Sequence, residues 1–324
     1  MSLYPLKFYP ILKDRLWGGT KLGTVLGKEL ESDQVGESWE LSGVAGDVSV
    51  VANGPYKGTS LTDLIDQFPE ALLGKSVFER FGKEFPILIK FIDAQKDLSI
   101  QVHPNDELSK KRHNSFGKTE MWYVMDSDKD AELIIGFKEN ISKETYLESL
   151  KNNTLTELMN FENVSEGDTY FINAGKIHAI GAGVLIAEIQ QTSDQTYRVY
   201  DYNRKDTQGN LRELHTELAI DAIDYNKQDD FRLSYEQKMN VANPMVECPY
   251  FKTSYINLNK NIRVNVADRD CFTIYMCIDG DVLIENDFGS VSIKKGETVL
   301  VPASSSHILL NSERAKLCLL YTSD

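Results

Sequence analysis

Gln101, His103, Glu120 and His178 are the residues of this chain whose types and spacing can do chemistry together. Gln101-Val102-His103 sets two polar side chains two positions apart, which on a β-strand puts both on one face. Glu120 opens the run Glu120-Met121-Trp122-Tyr123-Val124, and His178 follows a turn at Gly175-Lys176. Two imidazoles, a carboxylate and an amide oxygen suffice to hold a divalent metal with room left for water or substrate. A mixed N/O set without thiolate suits zinc, but iron, manganese and cobalt also accept it. Taken singly, each residue has a plainer reading. A His before Pro104 belongs to a loop, Glu120 to a strand end, and His178 to a satisfied core. The combination is what points to a metal.

These residues need a scaffold, and an internal repeat supplies one. Residues 167–178 read G-D-T-Y-F-I-N-A-G-K-I-H and residues 296–307 read G-E-T-V-L-V-P-A-S-S-S-H. Both run Gly, acid, Thr, apolar strand, turn, His. Upstream, Met121–Asp126 matches Ile274–Asp279 in strand character, which sets Glu120 opposite Thr273. The second copy therefore lacks the carboxylate, and its His307 reads as a relic without partners. A duplicated β-barrel with one working site and one degenerate site is expected.

The first part of the chain alternates short strands with helices. Gly36–Leu41, Val48–Val51, Phe85–Ile92, Leu98–Val102, Trp122–Val124 and Ala131–Gly136 are rich in aromatic and β-branched residues. Ser60–Phe68, Lys143–Leu158 and Arg212–Tyr225 carry apolar stripes at helical spacing. His113 falls in a polar loop, and His215 on the third helix. Residues 226–243 are polar and read as a linker. Beyond them Ile262–Val266, Phe272–Cys277, Val282–Ile284, Val291–Ile293, Thr298–Val301 and Leu317–Tyr321 are strand-like, with turns at Asp279-Gly280, residues 287–290 and Lys295-Gly296. The division expected is 1–240, a catalytic barrel with helical insertions, and 241–324, a degenerate barrel.

With 324 residues, a large core can be buried. Thirty-five basic against 49 acidic residues leave a net charge of −14, which argues against nucleic acid or an anionic membrane as partner. It leaves room for a small anionic substrate in a locally basic cleft. The apolar run Ala179–Ala187 is about half of a membrane span, and the first residues do not read as a signal peptide. Cys248, Cys271, Cys277 and Cys318 lack C-x-x-C spacing and read as buried thiols. A cytoplasmic protein is expected.

Three segments resemble the type I phosphomannose isomerases: Leu98-Ser99-Ile100-Gln101-Val102-His103-Pro104-Asn105-Asp106, Gly117-Lys118-Thr119-Glu120-Met121-Trp122-Tyr123, and Gly175-Lys176-Ile177-His178-Ala179. Glu188 and the run from Ser193 to Tyr202 are also similar to that family. The likeness covers nearly the whole chain and fits its short bacterial branch. It implies a mainly β fold of two cupin-type jelly-roll barrels, one zinc ion per chain, and interconversion of mannose 6-phosphate with fructose 6-phosphate. Gln101, His103, Glu120 and His178 match the family's zinc ligands. Arg198, Lys118 and Glu188 match its reacting groups. Lys90, Ser99, Trp17 and Asp194 match positions at the substrate, Lys90 and Ser99 at its phosphate.

One departure concerns Arg204, which stands where larger members carry a lysine. Arginine grips phosphate bidentately but does not give up a proton to serve as a base.

Aldose–ketose isomerisation needs a base for a weakly acidic C–H, an electrophile for the oxyanion, and a grip on the remote phosphate. Glu188, Lys118 and a water at the metal are the candidate bases. Two other readings compete. An iron cupin oxygenase would use the same ligand types, and a non-catalytic sugar-binding cupin would need no base. Lys118, Glu188 and Arg198 together favour the isomerase.

Overall fold

A computed structural model describes residues 3–205, 208–229 and 231–322. The fold is mainly β, and its strands fall into two similar halves packed back to back. In the first half a seven-stranded antiparallel sheet runs in the order Arg232–Leu233, Thr169–Ile172, Glu120–Ser127, Val184–Gln191, Ile87–Ala94, Val35–Leu41, Ile11–Gly19. A five-stranded sheet runs Tyr197–Tyr200, Ile100–Val102, His178–Ile180, Glu132–Phe137, Met159–Asn163. Trp17, Ile92, Trp122, Val124, Tyr170, Ile180 and Ile186 form one buried cluster drawn from both sheets.

The second half repeats this order. Thr298–Val301, Thr273–Asn286, Ala315–Tyr321, Lys252–Leu258 and Ala242–Glu247 lie side by side, as Thr169–Ile172, Glu120–Ser127, Val184–Gln191, Ile87–Ala94 and Val35–Leu41 do in the first. The expected register holds residue by residue. Glu120 pairs with Ile172 and Tyr123 with Thr169, while Thr273 pairs with Val301 and Met276 with Thr298. Leu6–Lys7, from the start of the chain, completes the edge beside Thr298–Val301.

The two large sheets share one core. Phe91, Met121, Tyr123, Leu185 and Ile189 point away from the first half's interior and meet Ile274, Met276, Cys318 and Leu320. Strands Ile87–Ala94 and Val184–Gln191 are consequently buried at every position. That explains why they read as continuous apolar runs rather than alternating ones. Each such side chain is worth about 1.5–3 kcal/mol when buried.

Several expectations change. The turn expected at Asp279-Gly280 is absent, because Thr273–Asn286 is one long strand. Its register slips between Cys277 and Asp279, and Gly280 sits at φ +75° where a Cβ would lie 2.2 Å from the Arg314 carbonyl oxygen. This bend lets one strand serve both sheets of its half. Val48–Val51 makes only isolated bridges. The helix expected over Arg212–Tyr225 shrinks to Thr216–Ile220. Leu214, part of its apparent apolar stripe, is exposed because that stretch runs as an extended strap. The helix at Leu61–Gln67 forms as expected, with Ser60 Oγ accepting from the Asp63 amide. Lys143–Asn152 is α-helical, with a separate 3₁₀ turn at Leu155–Leu158.

Part of the segment expected as a linker, 226–243, packs against the first half. Phe231 is buried, and Arg232–Leu233 joins the seven-stranded sheet. No helix among the described residues is long and apolar enough to cross a membrane.

Candidate active site

Cross-strand register builds the site. Trp39, Lys90, Glu188 and Trp122 lie in one row across four neighbouring strands, as the pairs Trp39–Lys90, Lys90–Glu188 and Glu188–Trp122. Glu120 pairs with Gln190 two positions further along. On the facing sheet His178 pairs with Gln101, and Gln101 with Arg198. Polar residues thus enter the interior from both sheets at one level.

His103, Glu120 and His178 converge there. Their ligand atoms lie within 4.8 Å of one another and all three side chains are buried. The imidazole tautomers follow from their partners. His103 Nδ1 lies 3.0 Å from the Gln195 carbonyl oxygen and His178 Nδ1 lies 2.8 Å from that of Lys176. A carbonyl only accepts, so each Nδ1 carries the proton and each Nε2 keeps its lone pair. The two Nε2 atoms face Glu120 at 3.3 and 3.9 Å. Burial and the neighbouring His103 push His178 down to about 3. Burial and the Lys118 ammonium lower His103 as well. Both rings are therefore neutral, as metal ligands must be.

Gln101 completes the set. Its amide nitrogen stands 3.4 Å from His178 Nε2, so turning the amide over presents an oxygen to the same point. Lys118 Nζ lies 2.6 Å from Glu120 Oε1 and 3.1 Å from His103 Nε2. A buried ammonium is thus held by the very lone pairs that a cation would use. These residues fit a metal ion, with tautomers fixed from behind by backbone carbonyls.

A cleft of about 410 Å³ opens beside them, lined by Trp17, Lys90, Ser99, Gln101, Lys118, Glu188, Asp194 and Arg198 among others. Every substrate or reacting residue expected from the sequence lines it except Arg204. That side chain turns to Asp201 and to the Asp97 carbonyl oxygen instead. Arg15, Glu37, Trp39 and Arg212 also line the cleft and were not anticipated. Glu37 and Trp39 were legible as alternate residues of the strand G-E-S-W-E-L, which face the same way. Arg212 was hidden by the helix expected around it. A larger groove of about 610 Å³, along Phe81, Phe116 and Tyr250, shares Asp194 but contains none of the ligand set.

The carboxylates differ in character. Glu188 Oε1 sits 3.2 Å from Lys90 Nζ, and Trp122 Nε1 donates to its Oε2 at 3.0 Å. Burial and Glu120 nevertheless raise Glu188 above the ordinary carboxylate range, outweighing Lys90 and Lys118. Glu120 is held well below that range, because Lys118 and the two imidazoles overcome the cost of burial. Burial works against the Lys118 charge, but Glu120 and Glu188 more than offset it, so Lys118 stays protonated. Glu188 does not pair with Arg198. Its partner is Lys90.

Comparison with known proteins agrees with this geometry. Residues 6–146 match the family model "Phosphomannose isomerase type I, catalytic domain", and residues 242–321 match "Mannose-6-phosphate isomerase, cupin domain". The chain is 36% identical to mannose-6-phosphate isomerase ManA of Bacillus subtilis over 93% of its own length and 94% of that protein. The chain belongs to the type I phosphomannose isomerases. Mannose-6-phosphate isomerase of Streptococcus mutans is 32% identical, with 92% of each chain covered. A crystal structure of the Bacillus subtilis mannose 6-phosphate isomerase superimposes with a TM-score of 0.89 at 31% identity, covering 98% of this chain and 99% of that one.

In this type I enzyme the matched catalytic segment contains Gln101, His103 and Glu120. His178, Glu188 and Arg198 come from strands beyond it.

The remaining histidines depart from expectation. His113 ends the helix Asp106–His113 and its Nε2 lies 2.7 Å from the Tyr197 hydroxyl. His215 precedes the short helix and contacts the Arg198 backbone. His307 has a partner after all, Asp287 at 2.8 Å, and no metal-type cluster includes it among the described residues.

Proposed function

We propose that this type I enzyme interconverts mannose 6-phosphate and fructose 6-phosphate through a cis-enediol, with one zinc ion held by Gln101, His103, Glu120 and His178. The observation that carries the reading is the convergence of two tautomer-fixed imidazoles and Glu120 beside a cleft holding Lys90, Lys118, Glu188 and Arg198. Zinc bound there would supply Lewis acidity toward the oxygens on C1 and C2.

The chain's own groups account for the proton movements. Glu188, raised toward neutrality by burial, removes the C2 proton of the open-chain aldose. The released electron pair forms the C1–C2 double bond while the aldehyde oxygen takes up a proton. Lys118, charged, buried and lining the cleft, supplies that proton. Return of the proton from Glu188 to C1, with transfer of the O2 proton to the neutral Lys118 amine, gives the ketose and restores both groups. Arg198 offers a fixed cation to the enediolate. Lys90, Ser99 and Arg212 line the cleft for the phosphate, so remote binding energy aligns the reacting carbons. Trp17 and Asp194 border the sugar. Buried Cys277 and Cys318 thiols support a reducing, cytoplasmic setting.

The test is a coupled assay of mannose 6-phosphate conversion before and after chelation, with zinc added back. Activity lost to chelator and restored by zinc supports the whole reading. Inactivity of the zinc-loaded protein overturns it.

A further inference from the structure

Arg198 is held from one side by a strap that no expected role explains. Residues 211–215 run beside the strand Tyr197–Tyr200 and grip it at a single residue. The His215 amide donates to the Arg198 carbonyl oxygen at 2.7 Å, and the Arg198 amide donates to His215 Nδ1 at 3.1 Å. The Arg198 guanidinium then donates from Nη1 to the Glu213 carbonyl oxygen at 2.8 Å. The same strap carries Arg212, whose Nε donates to Asp201 Oδ2 at 2.7 Å and which lines the cleft. Arg198 Nε is buried and makes no hydrogen bond of its own.

We infer that His215 is the positioning residue for Arg198: its Nδ1 substitutes for a strand partner and locks the strap that orients Arg198 and Arg212 in the cleft. The inference rests on the isomerase reading for its kinetic consequence only. An irregular strap cannot continue a β-ladder, so the Arg198 amide needs an acceptor from a side chain. Imidazole provides one when Nδ1 is unprotonated and the proton sits on Nε2. Burial together with the adjacent Arg198 cation lowers His215 and keeps it in that neutral form. Tyr197, with its ring centroid 6.4 Å from that of His215, flanks the same contact.

Asparagine tests this directly, because its Oδ1 stands the same two bonds from Cβ as His Nδ1. His215→Asn keeps the acceptor and His215→Ala removes it. In metal-loaded protein, His215→Ala should lower kcat on the order of 100-fold, as expected when a reacting group is misplaced. His215→Asn should restore most of that loss, and both variants should keep their metal.

Limited trypsin digestion gives a readout independent of turnover. The strap should be cut faster at Arg212 in His215→Ala than in the native chain or His215→Asn. Equal behaviour of the Ala and Asn variants in both assays, or native behaviour of His215→Ala, would overturn the inference. If the native chain shows no isomerase activity, the functional reading fails while the digestion still decides the role of His215.

Discussion

Glu120 and Thr273 hold the same place in the two halves of the molecule, each at the start of the third strand in its sheet, opposite Ile172 and Val301 respectively. The equivalence extends to the facing strands, where His178 pairs with Gln101 and His307 with Asn265. In the second half the metal-type set is dismantled. Thr273 accepts from Arg269 Nη1 at 2.9 Å, and His307 turns to the surface carboxylate of Asp287. A guanidinium thus lies beside the position where the first half carries the Glu120 carboxylate.

His178→Ala and His307→Ala should therefore behave in opposite ways. The first should lose bound metal and turnover together. The second removes only a partly exposed contact with Asp287, worth at most about 1 kcal/mol, and should keep both. Metal content by plasma emission, alongside the isomerase assay, distinguishes them. Equivalent losses in the two variants would mean that both halves bind metal.

Glu188→Gln isolates the base. It keeps the shape and the Trp122 contact but cannot take a proton, so kcat should fall by roughly 10²- to 10⁴-fold with metal retained. A base must be ionised to act, and Glu188 is raised by burial and by Glu120. Native kcat/KM should accordingly decline as pH falls through that raised value, above the ordinary carboxylate range. A native profile that shows no such decline on the acid side while metal content stays constant would move the base elsewhere.

The two buried histidines His103 and His178 should make the metal-free protein sensitive to acid. His178 is depressed to about 3 in the fold, and its unfolded counterpart titrates near the ordinary imidazole value of about 6.5. Below that value the unfolded chain takes up a proton that the folded chain refuses. Stability is therefore full above about pH 6.5 and declines as pH falls toward the folded value. Melting temperatures of chelated protein at pH 7 and pH 5 should show the drop, and His178→Gln should reduce it. Zinc, by requiring the same neutral ring, should raise the melting temperature at both values.

Much of this site was legible in the sequence because strand periodicity is short and strict. Gln101 and His103 share a face by spacing alone, and the repeat placed Glu120 opposite Thr273 before any coordinates. What periodicity could not reveal is which elements are covered on both sides. Thr273–Asn286 looked like two strands because Gly280 reads as a turn residue, whereas it serves as a bend within one. The apolar residues of 212–225 mimic a helical stripe, but Leu214 faces solvent. Arg212 was lost with that error. Its contact with Asp201 spans the strap, and no local pattern records it.

Arg212 and Arg204 compete for Asp201, and only one of them reaches the cleft. Both guanidiniums bond to the buried Asp201 carboxylate, but Arg204 also binds the Asp97 carbonyl oxygen and is absent from the lining. Arg212 lies on the wall beside Arg198, whose guanidinium is lowered by burial and by this neighbouring like charge. A phosphate dianion between them would relieve that repulsion and gain charge-assisted hydrogen bonds. Losing one such bond costs about 1.5–3 kcal/mol, so Arg212→Ala should raise KM for mannose 6-phosphate by roughly 10- to 100-fold. Arg204→Ala, which keeps the Asp201–Arg212 pair, should change KM by less than about threefold, as expected for a partly exposed pair. Steady-state kinetics of the two variants, each with its metal content measured, decides between the arginines. A large KM effect confined to Arg204→Ala would return the phosphate to the residue that the sequence pattern first suggested.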